Sequence, residues 1–330
     1  MRIEEGKARE LWFVAPRLVE VRAGQTPAMG PRQVLARCVA SGISQGTELL
    51  LYRGLGPTPF DPSLDLPGAP AYPRRYGYAW IGDVIARGRE VDRMEVGTRV
   101  FALASHGDLH ALDADAVRPI DPAIPPARAA LAATLETAIT CVWDAGISLG
   151  DRVTVLGGGI VGLLAGWLAQ AAGASVRLVE PGARRRNLGR ALGLSAVVAP
   201  DEDRPCGDAD AVIEATGDPS ALDRAIAHAA PEGTIAVLSF YGIRTHPVAL
   251  GSEFHRRRLV IRATQVSRIP PTHSSRWTAS RRFELVRRLL CDALLDGLLS
   301  EAVPFDEAAR AYARLDQAPG AHAHMVFDYR

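Results

Sequence analysis

The chain has 330 residues, 48% of them apolar, 23% charged and 6% aromatic, with 38 Lys and Arg against 37 Asp and Glu for a formal charge of +1. That length accommodates two domains with separate cores, and the composition is globular, which excludes wholesale disorder and a coiled coil; a charge near zero supplies no field to hold a nucleic acid. Cys38, Cys141, Cys206 and Cys291 lie far apart without Cys-x-x-Cys spacing, which excludes a zinc knuckle or a redox pair and reads as scattered buried thiols.

Residues 1–20 mix Glu4, Glu5, Lys7, Arg9 and Glu10 with apolar positions and contain no leader-like apolar core, so a cytoplasmic protein is expected. Short β-like runs at Arg17–Arg22, Val34–Ala40, Ala79–Ala86 and Arg99–Leu103 predict a mainly β domain. Pro57, Pro59, Pro62, Pro67, Pro70 and Pro73 cannot join a central strand and predict a surface loop or lid. The proline-rich stretch from Arg118 to Pro126 then marks a boundary before alanine-rich helix.

From about residue 150 to 265, β runs at 153–156, 176–179, 196–199, 210–213, 234–239 and 259–263 alternate with helical stretches at 160–172, 183–193 and 219–230. Six such strands predict an α/β fold with a doubly wound parallel sheet. Val153 to Val176 carries no charge and is long enough to cross a bilayer, but glycines at 157, 158, 159, 162, 166 and 173 divide it into a strand and a buried helix, so no membrane partner is expected. Beyond Thr264, a polar segment at 268–280, helices at 281–297 and 306–315 and a strand at His324–Tyr329 are expected to return to the first domain. The expected division is 1–130 with 266–330, and 131–265.

Gly157-x-Gly159-x-x-Gly162 follows a strand, opens a helix with Ile160 and Val161, and is answered by Glu180 at the end of the next strand. In that context the glycines bring a diphosphate onto a helix N-terminus, which predicts NAD or NADP. Glu180 suits the ribose diol and repels a 2′-phosphate, favouring NAD, whereas Arg184, Arg185 and Arg186 could clamp that phosphate, with Arg185 the chosen candidate.

Three further motifs carry a resemblance: Ser41-Gly42-Ile43-Ser44-Gln45-Gly46-Thr47-Glu48, Glu136-Thr137-Ala138-Ile139-Thr140 and Glu214-Ala215-Thr216-Gly217. With the domain layout, the chain resembles the medium-chain dehydrogenase/reductase superfamily over nearly its whole length. Gly217-Asp218-Pro219 and Phe240-Tyr241, with the first motif, are similar to the branch containing bacteriochlorophyllide dehydrogenases of the hydroxyethyl type. The resemblance implies an N-terminal GroES-like β domain plus a Rossmann domain, a homodimer paired through the strand at 259–263, and a small-molecule substrate. It adds Ser44, Thr140, Thr216, Gly217 and His324 as cofactor contacts.

Zinc-dependent members place a Cys where this chain has Ser44, a His and a Glu where it has Tyr78 and Ala79, and a third ligand near Glu136. Two of the three donors are gone and the four-cysteine lobe is absent, which predicts a metal-free enzyme. Oxygen chemistry then falls to Tyr78 or to His106 on the loop after Arg99–Leu103, with Glu136 orienting either. The reading is a zinc-independent, NAD(P)-dependent alcohol dehydrogenase or ketone reductase. The alternatives are an enone or quinone reductase and a non-catalytic nucleotide-binding protein. The Pro-rich loop and the 268–280 segment are expected to flank a substrate cleft, whose substrate the sequence does not identify.

Overall fold

Alternating apolar positions in the first hundred residues generate antiparallel strands. The computed structural model describes residues 8–56, 72–300 and 302–330; most of the expected Pro-rich loop, residues 57–71, lies outside them. In chain order come β1 (Ala8–Ala15), β2 (Leu18–Gly24), β3 (Gln33–Ile43), α1 (Thr47–Arg53), β4 (Arg74–Arg75), β5 (Trp80–Arg87), β6 (Arg99–Ala102), β7 (Leu109–Asp113) and β8 (Arg118–Pro119). β1 pairs with β2 and β4, while β3 pairs with β5 and β7 and β5 with β6. The β1 strand was not anticipated because Arg9 and Glu10 interrupt its pattern. Both are satisfied in place: Arg9 Nε reaches Asp108 at 2.9 Å, and Glu10 accepts from Trp12 Nε1 at 3.2 Å. Leu11 and Phe13 meanwhile point into the core.

After α2 (Pro126–Ala129) and α3 (Ala132–Asp144) come β9 (Arg152–Leu156), α4 (Ile160–Ala171), β10 (Ser175–Val179), α5 (Ala183–Ala191), β11 (Ala196–Val198), β12 (Ala209–Glu214), α6 (Ala221–His228), β13 (Ala229–Val237), α7 (Glu253–Arg256) and β14 (Val260–Ala263). The six strands form a parallel sheet in the order β11-β10-β9-β12-β13-β14, as expected. Val153, Val155, Val212, Ile213 and Ile235 are buried, as strands covered on both faces require. The uncharged run that raised a membrane question is β9, the glycine turn and α4. Among the described residues no helix is long and apolar enough to cross a membrane.

Contacts divide the described residues into one unit of 8–56, 72–133, 287–300 and 302–330 and another of 134–286. The expected second boundary near 265 therefore moves: residues 266–286, with α8 (Pro271–Ser274) and the start of α9 (Ala279–Leu289), pack within the α/β unit. Trp143 of α3 stacks on His273 with ring centroids 4.8 Å apart and meets Trp277 at 4.7 Å, and Arg282 bonds to Glu136. The helix expected over 281–297 breaks because Asp292 accepts from Leu294 N at 2.9 Å and caps a new 3-10 turn. The true return is β15 (Val303–Pro304), α10 (Ala308–Gln317) and β16 (Met325–Asp328), with β16 antiparallel to β3. Phe305, Tyr312, Met325 and Phe327 close a core with Phe13, Ile43 and Leu49. Of the four thiols, only Cys38 and Cys141 are buried; Cys206 and Cys291 are exposed.

Gly162 and Gly159 separate packing from ligand approach. A Cβ on Gly162 would lie 2.1 Å from the Gly157 carbonyl oxygen, whereas one on Gly159, at φ −64°, would meet nothing within 4 Å. Gly162→Ala should cost about 3 kcal/mol or more through overpacking, and Gly159→Ala should leave stability within about 0.5 kcal/mol. Thermal and urea unfolding of the two variants check this, and equal losses would refute it.

Candidate active site

The glycine turn joins β9 to α4. Gly157 adopts φ +97°, and a Cβ there would lie 2.7 Å from the Ala215 carbonyl, so Gly157, like Gly162, is required by the protein's own packing. Gly159 is required by neither backbone nor neighbours, and it is the N-cap of α4, whose first amides at Ile160 and Val161 have no acceptor within the helix. Such a place suits an anion approaching closely. Glu180, just beyond β10, is nearly buried; its Oε2 accepts from Gly158 N and its Oε1 from Gly182 N, each at 2.6 Å. Arg186 donates to the Glu180 and Pro181 carbonyls at 2.9 and 2.5 Å, so it serves the main chain. Arg185 lies near Glu180; burial lowers its pKa and the carboxylate raises it. Gly217, at φ +77°, donates to Ser239 Oγ at 2.8 Å, and Thr216 N donates to Glu214 Oε1 at 2.8 Å.

Glu136 and Thr140 stand one turn apart on α3. Thr140 Oγ1 donates to the Glu136 carbonyl at 2.9 Å and accepts from Arg282 Nη1 at 2.8 Å. Arg282 also gives Nε and Nη2 to Glu136 Oε1 at 3.1 and 3.0 Å and Nη1 to the Val266 carbonyl at 2.8 Å. The expected orienting carboxylate is thus neutralised by a buried guanidinium that the sequence reading missed. Its available signal was position: Arg282 lies one turn before Val286 and beside Phe283 on α9, both buried.

Tyr78 lies between β4 and β5, after Gly77 at φ +134°, where a Cβ would stand 2.9 Å from the His106 ring. The Tyr78 hydroxyl donates to Ser44 Oγ at 2.5 Å, and Thr47 N also donates there at 3.2 Å. Burial, and then the charge of Glu48, push the phenol up to about 12, so it remains a proton donor. His106 was expected on an accessible loop; it is instead buried, with Nδ1 2.6 Å from Ser41 Oγ and Nε2 3.0 Å from Glu48 Oε2. Both ring nitrogens are engaged. Glu48 also accepts from Ser44 N at 3.0 Å and from the Tyr312 hydroxyl, and Ser41 Oγ lies 2.8 Å from the Tyr329 hydroxyl. Glu48 and Ser41 stood in a quoted motif without an assigned role, since their partners come from distant segments. His324 is buried against Gly42, and neither ring nitrogen has a hydrogen-bond partner among the described residues.

Residues 161–283 match the family described as zinc-binding dehydrogenase. D-guloside 3-dehydrogenase of Escherichia coli (strain K12) is 26% identical over 94% of this chain and 97% of its own. The 2-desacetyl-2-hydroxyethyl bacteriochlorophyllide A dehydrogenase of Cereibacter sphaeroides is 29% identical over 96% of each chain. A Sinorhizobium meliloti 1021 protein assigned as a zinc-binding dehydrogenase and solved with NADP superimposes with a TM-score of 0.79 at 20% identity, covering 98% of this chain and 100% of that one. The fold is a GroES-like β unit with a Rossmann unit, and the family match and named relatives support an oxidoreductase of the dehydrogenase type. The family match and these relatives support the medium-chain dehydrogenase/reductase superfamily, and the likeness to the bacteriochlorophyllide dehydrogenases is present in full-length alignment.

His324 gives the unit an acid-sensitive point. Desolvation pulls its pKa from 6.5 down to about 4, so as pH falls the unfolded chain takes the proton first; stability is full above about 6.5 and falls toward pH 4. Urea unfolding without added nucleotide should show His324→Leu losing about 2 kcal/mol less than wild type between pH 7 and pH 5. Parallel pH slopes would refute this.

Proposed function

We propose that the chain is a zinc-independent, NAD(P)-dependent dehydrogenase that interconverts a secondary alcohol and a ketone. The observation that carries this reading is the 2.5 Å hydrogen bond from the Tyr78 hydroxyl to Ser44 Oγ, at the two positions where zinc-dependent relatives have a His and a Cys. A protonated phenol and a serine hydroxyl make a poor zinc site, and among the described residues no three His, Cys, Asp or Glu side chains are grouped to hold a metal. The residues present do not fit zinc.

A bound nicotinamide dinucleotide would supply the hydride chemistry. Gly157, Gly159, Gly162 and the Ile160 and Val161 amides would hold its diphosphate, Glu180 its adenosine ribose, and Thr216, Gly217 and Thr140 its other half. Ser44, Arg185 and His324 complete the proposed contacts. Support for a dinucleotide comes from the open side of Gly159 and from the NADP found in the structural neighbour. In reduction, Tyr78 gives its proton to the carbonyl oxygen as that oxygen becomes an alcohol, and solvent reprotonates the phenolate. His106, with both ring nitrogens engaged, supports the framework around Ser44 instead of meeting substrate. Homodimer pairing through β14, where Val260 is exposed, belongs to the same reading.

The test begins with sugar glycosides and hydroxyalkyl compounds offered with NAD and NADP, the classes on which the two sequence relatives are named to act. On an accepted substrate, Tyr78→Phe should lower kcat by about 10²–10⁴-fold with NADH affinity unchanged. Purified protein should hold far less than one zinc per chain and keep its activity in chelator. Stoichiometric, activity-linked zinc overturns the mechanism, and a Tyr78→Phe enzyme of normal rate moves the reading to enone reduction protonated by water. Cofactor choice is read separately: wild type should bind NADH more tightly than NADPH, and Glu180→Ala should narrow that gap in fluorescence titrations. Tighter NADPH binding by wild type would show that Glu180 does not decide it.

A further inference from the structure

Glu214 ends β12 fully buried. Its Oε1 accepts from Thr216 N at 2.8 Å and from Thr216 Oγ1 at 2.5 Å, and its Oε2 accepts from the Tyr241 hydroxyl at 2.6 Å. Tyr241 follows β13, so this last bond joins the turns at the carboxyl ends of two neighbouring strands. The main chain makes the same link, with Leu238 N and Ser239 N donating to the Glu214 carbonyl at 2.9 and 3.2 Å. Within the turn, Thr216 Oγ1 accepts from Asp218 N at 3.0 Å, Asp218 Oδ1 accepts from Ser220 N at 3.0 Å, and Gly217 N reaches Ser239 Oγ. These groups are tied inward, while Gly217 presents an open side where a Cβ would meet nothing within 4 Å.

The sheet order places this turn. The chain runs from β9 outward to β10 and β11, then restarts on the other side of β9 at β12, so the crevice that takes a ligand lies at the carboxyl ends of β9 and β12. The glycine turn and Glu180 border its β9–β10 half. The turns after β12 and β13 border the other half, where a dinucleotide anchored by its diphosphate and adenosine ribose must lay its nicotinamide.

We infer that Tyr241 is a positioning residue for the nicotinamide half of the cofactor: by donating to Glu214 it fixes the carboxylate that shapes the Thr216–Gly217 turn. This rests on the dinucleotide reading above. A carboxylate withdrawn from water is held by its donors, and a charge-assisted phenol bond is among the stronger of them. Without it Oε2 loses its side-chain donor, and the turn loses the contact that ties it to the end of β13.

Tyr241→Phe keeps the ring and removes only that donor. Titration with NADH by fluorescence and with ADP-ribose by calorimetry separates the two cofactor halves. NADH should bind about tenfold more weakly, ADP-ribose should bind within twofold of wild type, and the melting temperature should stay within about 3 °C. Thr216→Val, which removes a hydroxyl donor from the other carboxylate oxygen, should reproduce the split. Unchanged NADH affinity in both variants overturns the inference, as does an equal loss of both ligands, which would mark general damage to the sheet end. A wild type that binds neither ligand overturns the dinucleotide reading, and this inference with it; a wild type that binds both beside a normal Tyr241→Phe overturns this inference alone.

Discussion

A carboxylate removed from water must be given hydrogen-bond donors, and the turns that build this site depend on that requirement. Glu48, Glu180 and Glu214 are all buried. Each takes backbone amides from the turn beside it: Ser44 N for Glu48, Gly158 N and Gly182 N for Glu180, and Thr216 N for Glu214. A turn that drifted from its position would leave a buried anion short of a donor, so the cost of desolvation becomes a geometric constraint on the loops. Loops otherwise have little to hold them, because they bury few apolar groups.

Other carboxyl groups at or near the interior are matched with basic side chains from neighbouring helices. Glu136 of α3 meets Arg282 of α9, and Asp203 is held by Arg224 at 2.7 Å and His228 at 2.8 Å, both from α6. The difference follows from reach. An arginine can span the gap between elements, whereas an amide can hold a carboxylate only where the main chain itself passes. Burial and the arginine act on Asp203 in opposite senses, and its bonds to Arg224 and His228 leave its pKa below the usual carboxylate value.

The parallel sheet was legible because its strands are covered on both faces and read as plain apolar runs, and because Gly157 and Gly162 each answer a steric demand that no other residue meets. What escaped depended on pairing between distant segments. β1 is interrupted by Arg9 and Glu10, whose partners Asp108 and Arg75 lie far along the chain. His106 read as a candidate base on a loop because nothing around it gave a sign that Ser41 and Glu48 would engage both its ring nitrogens. Arg282 was hidden by composition: in a chain whose basic residues are almost all arginine, one more draws no notice. The 266–286 segment was misassigned for the same reason, since its attachment runs through that arginine and through the stacking of His273 and Trp277 on Trp143.

Replacing Cys and His by Ser and Tyr changes more than a ligand count. A thiolate and an imidazole call for a cation between them, and the cation then polarises the substrate oxygen. A serine oxygen and a phenol hold one another directly, and the group they can offer is a proton. The buried charge of Glu48 acts in the same direction, because a neighbouring anion disfavours the phenolate and so keeps Tyr78 protonated at neutral pH. On the proposed reading this keeps the donor loaded but makes the phenol the weaker acid, so it yields its proton only as the carbonyl oxygen takes on alkoxide character and becomes the stronger base. On the proposed reading, the charge beside this oxygen site comes from a carboxylate fixed by Ser44, His106 and Tyr312.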